Sequence, residues 1–565
     1  MLLLVPLLLQ IAPLAQEEWD YEMRAAPEGA TALGDNRFND RLDDRSPQAI
    51  QANADARRTF LARFEAIDTV DLSPADRLSR RLMISDLRER LDAMPFKSWE
   101  MPVNQREGIH LGLVDLVSLT PFNTVADYDH YIARLHAIPR AFDQETENMR
   151  QGLRDGLMPP KYLLEKVVVE AEGIASKTGA ASPFAVPLTK MPASFSSTDR
   201  ERFTKAIAQA IETQVVPAYK QFAAFVRTEY APHGRADPGV WALPDGEARY
   251  RFEAHHMTTT DLSPDSIYAI GVAQVAEIAA QMLVIANAQG YNDLASFNAH
   301  IKNGRTFYAT SGQQVLDLYT KYARQMEQRL PELFGRLPRS KLAVIPMDAF
   351  RAPDAVPADY TSGTPDGSRP GRINVNEYGP EQRLLLNVEA IAYHEGVPGH
   401  HMQLSLAQEL PNLPKFRQHG GYTAFVEGWA FYSERLGKEI GFYQDPYSDY
   451  GRLENEMWRA IRLVVDPGVH YKHWTRQQMV DYFHQYTAMD EPNVQSEVDR
   501  YISWPGQALA YKLGQLEFLK LRAEARQRLG GKFDLRAFHD AALGQGALPL
   551  DVLDDQMHQW IARNH

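Results

Sequence analysis

Apolar residues recur every three or four positions along most of this chain, a spacing typical of amphipathic α-helices. The clearest such segments are residues 76–94, 127–157, 200–230, 265–290 and 313–337. The first of them follows Ser73 and Pro74, a pair that favours the start of a helix. Strand-like stretches are few, at 341–347 and 371–378. The pattern therefore predicts a mainly α-helical fold with a small β-sheet.

A loop rich in Pro, Gly, Ser and Asp, residues 351–371, separates the helical first half from the segment that carries most of the conspicuous polar motifs. With 565 residues, the chain is long enough for two lobes or a few subdomains. We predict an N-terminal helical lobe at 16–340 and a second lobe at 341–565, packed together as one unit.

The first residues, MLLLVPLLLQIAPLA, form an apolar run that ends in small residues. This run resembles the hydrophobic part of a signal peptide and predicts cleavage near Ala15, hence a periplasmic or secreted protein. The alternative is a buried N-terminal helix. No later stretch is expected to span a bilayer.

Composition excludes several classes of function. The net charge of −13, with no basic stripe, argues against nucleic-acid binding. The absence of cysteine excludes disulfides, thiolate metal sites and a lipid-modified N-terminal cysteine. Any metal must therefore be bound by His, Asp or Glu. The oligomeric state is not predicted.

The segment AYHEGVPGHHMQ, residues 392–403, begins like the zinc-peptidase motif H-E-x-x-H. Pro398 stands where the second histidine of that motif belongs, and His400 and His401 follow it. On a regular helix, His400 would lie about 120° from His394 and His401 about 20° from it. Because Pro398 and its neighbouring glycines disturb the helix, either histidine could reach a shared metal.

Glu395, the second residue of this motif, continues an apolar stripe. Leu384, Val388 and Ile391 precede it at helical spacing, on a helix predicted to start at Pro380. A carboxylate on such a stripe needs a partner, a metal or a chemical role.

The next segment, GYTAFVEGWAFYSERLG (421–437), is an aromatic-rich helix that carries Glu427 and Glu434. A helix that is apolar nearly all round is buried, so its carboxylates need partners. Glu427 follows His400 by 27 residues, a spacing that suits the glutamate ligand of a one-zinc peptidase; the alternative is a buried salt bridge. Glu434 is predicted to lie behind the ligands or to form an ion pair.

Two later segments offer further polar groups. In RLVVDPGVHYKHW, Asp466 could orient His470 as an acid or oxyanion donor, although His470 could equally be structural. Arg462, Arg500 and Lys512 are candidates for binding a substrate carboxylate or backbone, and ion pairing is the alternative for each.

The string H-E-G-V-P-G-H-H followed by E-G-W-A-F-Y-S-E closely resembles the bacterial family called domain of unknown function 885. The likeness extends over most of residues 40–560. That family has a helical fold similar to neurolysin, angiotensin-converting enzyme and carboxypeptidase Taq. The resemblance implies a zinc peptidase of the gluzincin type, with two lobes around a deep central cleft and a sheet at the edge of the cleft.

The resemblance also implies roles for individual residues. His394, Glu427 and a histidine at 400 or 401 would bind Zn²⁺, and the Gly-His ending of related motifs favours His400. Glu395 would be the general base towards a zinc-activated water. A late tyrosine meets the oxyanion in related peptidases, and Tyr511 is the candidate here.

We therefore predict a zinc-dependent peptidase acting on short peptides. The alternatives are a zinc hydrolase of non-peptide amides or esters, and a binding protein of the same fold without catalysis.

Overall fold

In the computed structural model, which describes residues 11–347, 352, 355–365, 367 and 369–565, the chain is mainly α-helical, as predicted. The helices up to residue 237 are α1 (Ile11–Ala25), α2 (Pro27–Ala32), α3 (Pro47–Glu65), α4 (Pro74–Asp92), α5 (Ile109–Leu119), α6 (Val125–Asp155), α7 (Lys161–Ser176), α8 (Ser197–Ala210) and α9 (Val216–Phe225). The later helices are α10 (Gly246–Thr258), α11 (Pro264–Ala288), α12 (Leu294–Asn303), α13 (Gly312–Glu327), α14 (Leu330–Leu333), α15 (Val388–Glu395), α16 (His400–Glu409), α17 (Lys415–His419), α18 (Thr423–Glu439), α19 (Pro446–His470), α20 (Arg476–Tyr486), α21 (Glu491–Ser503), α22 (Ala510–Leu529), α23 (Leu535–Leu543) and α24 (Leu550–Asn564).

Capping side chains determine where several long helices begin. The Ser73 hydroxyl accepts a hydrogen bond from the amide of Asp76 (3.1 Å) at the start of α4. Ser263 accepts in the same way from Ser266 (3.1 Å) at the start of α11. In both helices a proline follows the cap. These bonds satisfy first-turn amides that have no carbonyl partner within the helix, which is why these starts are predictable from sequence.

A three-stranded sheet lies beside the helix that carries the first histidine. Its strands are β1 (Leu342–Pro346), β2 (Ala358–Thr361) and β3 (Gly371–Val375), in the order β1-β3-β2. β3 is parallel to β1 and antiparallel to β2. The strand predicted at 371–378 is thus the central one, and its backbone is hydrogen-bonded to a strand on each side. A substrate peptide that binds by adding a strand to a sheet edge could therefore do so only beside β1 or β2.

The chain divides into two compact units. The first contains the described residues up to Asp237, with Ala242–Pro244 and Pro414–Phe416, and the second contains the rest. The boundary predicted near residue 340 lies inside the second unit, because α11 packs along α19 and α13 packs on α15. Every residue predicted for the site belongs to the second unit.

The described part of the first unit begins with α1. The signal peptide predicted for residues 1–15 falls mostly on residues 1–10, which lie outside the described residues. Ile11, Leu14 and Ala15 are buried and pack with Phe60 and Phe64 of α3. For these three residues, the packing matches the alternative of a buried N-terminal helix.

Among the described residues, α11 alone has the length and apolar composition to cross a membrane. One helix of this kind is weak evidence for a span, since core helices meet the same criteria. α11 packs along α19, and a Cβ on its Gly271 would lie only 2.7 Å from Cβ of Leu463. One face of α11 is therefore covered within the second unit.

α15, the helix that carries His394, is shorter than predicted. It begins at Val388 rather than at Pro380, and residues Pro380–Gln382 form a single 3₁₀ turn. Leu384 instead pairs with Tyr308 in an isolated β-bridge. Leu384 therefore does not belong to the helical stripe, which runs only through α15.

Candidate metal centre

The turn between α15 and α16 determines where the second histidine lies. α15 ends at Glu395 and α16 begins at His400, so four residues form a turn where an H-E-x-x-H helix would continue. The amide of Gly399 donates to the carbonyl of Tyr393 (3.0 Å). A Cβ on Gly399 would lie 2.0 Å from the carbonyl oxygen of His394, so only glycine allows this approach.

The same turn is bonded to α18. It contains a cis peptide bond between Val397 and Pro398. The indole N–H of Trp429, a fully buried side chain, donates to the carbonyl of Pro398 (2.8 Å). Trp429 follows Glu427 by two residues on α18, so this bond helps to position Glu427 relative to the histidines.

Replacing Gly399 with alanine is expected to lower the free energy of unfolding by about 2–4 kcal/mol, because the new Cβ overlaps the His394 carbonyl. Denaturant unfolding measures this change. The matched control is Gly173→Ala in α7, where a Cβ meets no atom within 4 Å and stability should stay equal or rise by up to about 1 kcal/mol. Equal behaviour of the two variants would contradict the packing described for the turn.

His394, His400 and Glu427 converge. Oε2 of Glu427 lies 3.5 Å from Nε2 of His394 and 3.4 Å from Nε2 of His400. One ligand atom from each residue lies within 4.8 Å of the other two. A tetrahedral zinc site with bonds of about 2.0–2.1 Å has ligand atoms about 3.3–3.4 Å apart. The three residues therefore form a possible metal-binding triad.

Glu427 fits a metal ligand by its own bonding. Its Oε2 is buried and has no hydrogen-bond partner among the described residues. Burial opposes ionisation, but the neighbouring His400 and His394 outweigh it and hold the pKa of Glu427 well below its usual range. A buried, ionised oxygen without a hydrogen bond is costly unless a cation completes its environment. The ion pairs of this carboxylate among the described residues are with His394 and His400, and none is with an arginine.

A second set of side chains orients the two rings. Nδ1 of His394 lies 2.8 Å from Oε1 of the fully buried Glu434, which matches the predicted place of Glu434 behind the ligands. Nδ1 of His400 lies 3.1 Å from Nε2, the side-chain amide nitrogen, of Gln403. In both rings Nε2 is the atom that faces Glu427. Partners of this kind fix the orientation of a metal-binding imidazole.

His401 points elsewhere. Its Nε2 lies 3.1 Å from the carbonyl oxygen of Ser340, and its Nδ1 lies 3.0 Å from the hydroxyl of Tyr360. Burial lowers the pKa of His401 to about 4, so the ring stays neutral. Of the two histidines that the sequence left open, His400 belongs to the triad.

Glu395 lies beside the triad without a partner of its own. Its side chain is partly exposed and accepts no hydrogen bond from the residues that the structure describes. Burial raises the pKa of its carboxyl to about 8; His400 opposes this shift, and Glu427 and Asp359 add to it. The carboxylate is thus available to bind water or a proton.

Tyr511 lies next to His394, with ring centroids 6.3 Å apart and nearly parallel planes. Its oxygen accepts hydrogen bonds from Arg500 Nη2 (3.0 Å) and Gln507 Nε2 (3.4 Å). The hydroxyl proton has no acceptor among the described residues and can therefore be donated to a ligand. The guanidinium of Arg462 lies 4.4 Å from the ring centroid and supports its position.

Close packing of α18 on α22 brings Tyr511 to the triad. A Cβ on Gly428 would lie 2.4 Å from Cα of Gly514, and a Cβ on Gly514 would lie 1.9 Å from the carbonyl of Ala424. The two glycines therefore let the helix backbones touch. Gly428 follows Glu427 directly, and Gly514 lies one turn after Tyr511.

Two other predicted residues, His470 and Asp466, have partners within the fold. His470 accepts from the amide of Val240 (3.2 Å) at Nδ1 and donates to the carbonyl of Tyr501 (2.8 Å) from Nε2, so neither ring nitrogen is available to an oxyanion. Asp466, predicted to orient this ring, accepts from the hydroxyl of Tyr250 (2.6 Å). This geometry matches the structural alternative for His470.

Lys512 is fully buried, with Nζ 2.7 Å from Gln515 Oε1 and 3.5 Å from Glu456 Oε2. This matches the ion-pair alternative rather than substrate binding. Arg462 and Arg500 also pair with a carboxylate, Glu497, at 3.1 and 3.5 Å. Each still has one buried nitrogen without a hydrogen bond, Nη1 of Arg462 and Nε of Arg500.

Two residues of α19 that were not predicted from the sequence lie behind the site. Asn455 Nδ2 donates to Glu434 (3.4 Å), and Arg459 lies 3.8 Å from the same carboxylate. Asn455, Arg459 and Arg462 follow one another by four and three residues, so they share a face of α19. Polar residues at this spacing on a buried helix were the available signal.

Fold and site together define a mainly α-helical protein with a possible His–His–Glu metal centre on adjoining helices. The chain belongs to the bacterial family DUF885, described as a bacterial protein of unknown function, whose model matches residues 27–557. No curated protein has a matching sequence.

The solved structures that resemble it include two described as lipoproteins. The crystal structure of a "putative lipoprotein" from Colwellia psychrerythraea has 28% sequence identity and a TM-score of 0.93, over 98% of this chain and 99% of that one. The structure of a "putative lipoprotein of unknown function" from Shewanella oneidensis has 18% identity and a TM-score of 0.72, over 97% and 100%. The second likeness concerns the fold alone.

Proposed function

We propose that this protein is a zinc-dependent peptidase that hydrolyses short peptides. The observation that carries the proposal is the position of Glu395. Glu395 directly follows His394 in the sequence, and its partly exposed side chain lies beside His400 and Glu427. Its carboxylate accepts no hydrogen bond from the described residues. This is the place that a general base needs in a zinc peptidase.

Two imidazoles and one carboxylate are the protein ligands of one class of catalytic zinc site, which keeps a further position open. When bound there, zinc would polarise a substrate carbonyl and lower the pKa of a water molecule. His394, His400 and Glu427 would hold the ion, and Glu434 would keep the His394 ring in place through its bond to Nδ1.

Glu395 would accept a proton from the attacking water and pass it to the leaving amine. Without a bound cation its carboxyl has a pKa of about 8, because burial disfavours the charge. A general base works best when its pKa lies near the working pH, and the charge of a bound cation would lower this pKa towards neutrality.

Tyr511 would donate its hydroxyl proton to the negative oxygen that develops on the substrate carbonyl. Arg500 and Gln507 both donate to its oxygen, which leaves the proton directed away from them. Arg462 and Arg500 would act mainly by positioning Tyr511. Their two remaining unpartnered nitrogens are available to a substrate carboxylate.

Replacing Tyr511 with phenylalanine is expected to lower kcat about 10²–10³-fold with little change in KM, because the lost bond forms only as the oxyanion develops. Steady-state kinetics on a cleaved peptide measure both constants. Tyr378→Phe, at an exposed tyrosine of the same unit, serves as the control and should keep the parent kcat. An unchanged kcat for Tyr511→Phe would remove this residue from the mechanism.

We also propose that the protein acts in the cell envelope or outside the cell. The support is the apolar N-terminal segment and the description of the relative from Colwellia psychrerythraea as a lipoprotein. This chain contains no cysteine to which a lipid could be attached. Fractionation of cells that express the chain would test the location.

A substrate panel tests the proposed reaction. The zinc-loaded protein is incubated with a mixture of short peptides and, separately, with non-peptide amides and esters, and products are identified by mass spectrometry. Cleavage of peptide bonds that stops on chelation is expected. Turnover of the amides or esters alone would point to the alternative hydrolase, and no turnover of any compound to a binding protein.

A further inference from the structure

A cavity in the second unit lies along α15, the helix that carries His394. Its empty space, including its opening to solvent, is about 1040 Å³. Much of its wall is apolar, with Val315, Leu385, Val388 and Trp458 among the lining residues. Val388 is the first residue of α15, and His394 lies near the other end of the same helix.

Three lining residues carry buried polar atoms that have no hydrogen-bond partner among the residues that the structure describes. These atoms are the hydroxyl of Tyr319, Oδ1 of Asn455 and Oε2 of Glu454. Tyr319 is 1% exposed and Asn455 is fully buried. Buried polar groups are nearly always bonded, and an unbonded one costs about 1–3 kcal/mol. Three of them around one cavity indicate that a polar ligand belongs there.

Two of these residues also connect the cavity to the metal centre. Asn455 donates through Nδ2 to Glu434, which in turn bonds the ring of His394. Tyr319 lies near the general base, since burial and then the charge of Glu395 raise the pKa of its hydroxyl. The cavity and the triad therefore lie on two sides of the same buried side chains.

The unpartnered atoms call for a ligand that donates hydrogen bonds. Oδ1 of Asn455 can only accept a hydrogen bond, and so can Oε2 of Glu454 while that carboxylate is ionised. The hydroxyl of Tyr319 can accept a hydrogen bond as well. Glu454 accepts one bond, from the amide of Ala488 (2.6 Å). The amides of Ala488 and Met489 and the charge of Lys302 favour its ionisation, but burial outweighs them and raises its pKa to about 7.

The other charges around the cavity are already offset. Arg383 lines it, but its Nε donates to the carbonyl of Tyr378 (3.0 Å), and Asp490 lies close enough to stabilise its charge. Arg459 and Arg462 stack on Trp458 from outside the lining and are balanced by carboxylates. Among the described residues, no cation forms an ion pair with Glu454, although the charge of Lys302 acts on it.

We propose that this cavity is a subsite for a basic side chain of the substrate, lysine or arginine. The aliphatic part of the side chain would lie against the apolar wall, and its cationic nitrogen would donate to Glu454 and Asn455. The proposal rests on the proposed peptidase function, because the basic side chain is taken to belong to a peptide substrate.

Binding measurements test the subsite without requiring hydrolysis. The full-length protein is titrated by calorimetry with Nα-acetyl-lysine amide and with Nα-acetyl-norleucine amide, which has a similar aliphatic chain but no side-chain nitrogen. The lysine probe is expected to bind at least about tenfold more tightly. Equal binding of the two probes would overturn the proposal. The proposal would also be overturned if a norleucine amide with a free α-amino group bound as tightly as the lysine probe. The cavity would then recognise an α-ammonium group and not a basic side chain.

Variants assign the preference to the cavity. Glu454→Gln should remove most of the preference for lysine while leaving norleucine binding unchanged. Tyr319→Phe removes an unpartnered hydroxyl, so it should fold normally and weaken lysine binding severalfold. Glu277→Gln, at an exposed glutamate of α11, is the matched control and should keep the full preference. A preference that survives both cavity variants would overturn the proposal.

The outcome separates this proposal from the proposed function. A protein that binds the lysine probe selectively but cleaves no peptide contradicts only the peptidase function. A protein that cleaves peptides but binds the two probes equally contradicts only the subsite.

Discussion

Replacing Glu395 with glutamine is expected to lower kcat about 10³-fold or more while leaving the zinc content unchanged. Glutamine has nearly the same shape but cannot accept a proton from water, so the general base is lost. Glu395 is not one of the three triad residues, whose ligand atoms come from His394, His400 and Glu427. The measurement is kcat on a cleaved peptide, together with elemental analysis of the same sample.

The matched control is Glu381→Gln, at an exposed glutamate that precedes α15. It should keep both the activity and the metal content of the parent. Full activity of Glu395→Gln would exclude this residue as the base. Loss of zinc in Glu395→Gln would instead place its carboxylate among the ligands.

Replacing His400 with alanine is expected to abolish tight zinc binding, whereas replacing His401 with alanine should leave about one zinc ion per chain. His400 contributes one of three converging ligand atoms, at 3.4 Å from Oε2 of Glu427. His401 instead bonds the carbonyl of Ser340 and the hydroxyl of Tyr360. Zinc content after dialysis, measured by mass spectrometry of the elements, distinguishes the two variants.

The two variants control for each other, since they are adjacent, buried and change the same residue type. Both should be checked for folding by thermal unfolding, because His401→Ala also removes two hydrogen bonds. Loss of zinc in His401→Ala with retention in His400→Ala would reverse the assignment of the second ligand.

Much of the fold was predictable because local signals determine it. The helical spacing of apolar residues located α4, α6, α11 and α13, and Ser73 with Pro74 marked the start of α4 within two residues. The start of α15 was predicted wrongly, because Pro380 suggested a helix start. The bridge between Leu384 and Tyr308 keeps that segment extended, and contacts of this kind join residues far apart in sequence.

The site was predictable in its residue types but not in its geometry. Sequence motifs identified His394, Glu395 and Glu427 as candidates, and these residues lie close together in the structure. The choice between His400 and His401 could not be made from helical angles. It depends on how closely Gly399 passes the backbone of α15, which is a three-dimensional contact.

Residues from α19 and α22 were harder still to assign. Asp466 and His470 look like a catalytic pair in sequence, being four residues apart on one helix. In the structure His470 binds backbone groups at both ring nitrogens. Only tertiary packing decides which face of a buried helix meets the site.

X-ray diffraction from zinc-soaked crystals, recorded on both sides of the zinc absorption edge, is the most direct test of the metal centre. We predict one strong anomalous peak about 2 Å from Nε2 of His394, Nε2 of His400 and a carboxylate oxygen of Glu427. No peak at this position, or a peak bound to His401 instead, would contradict the account.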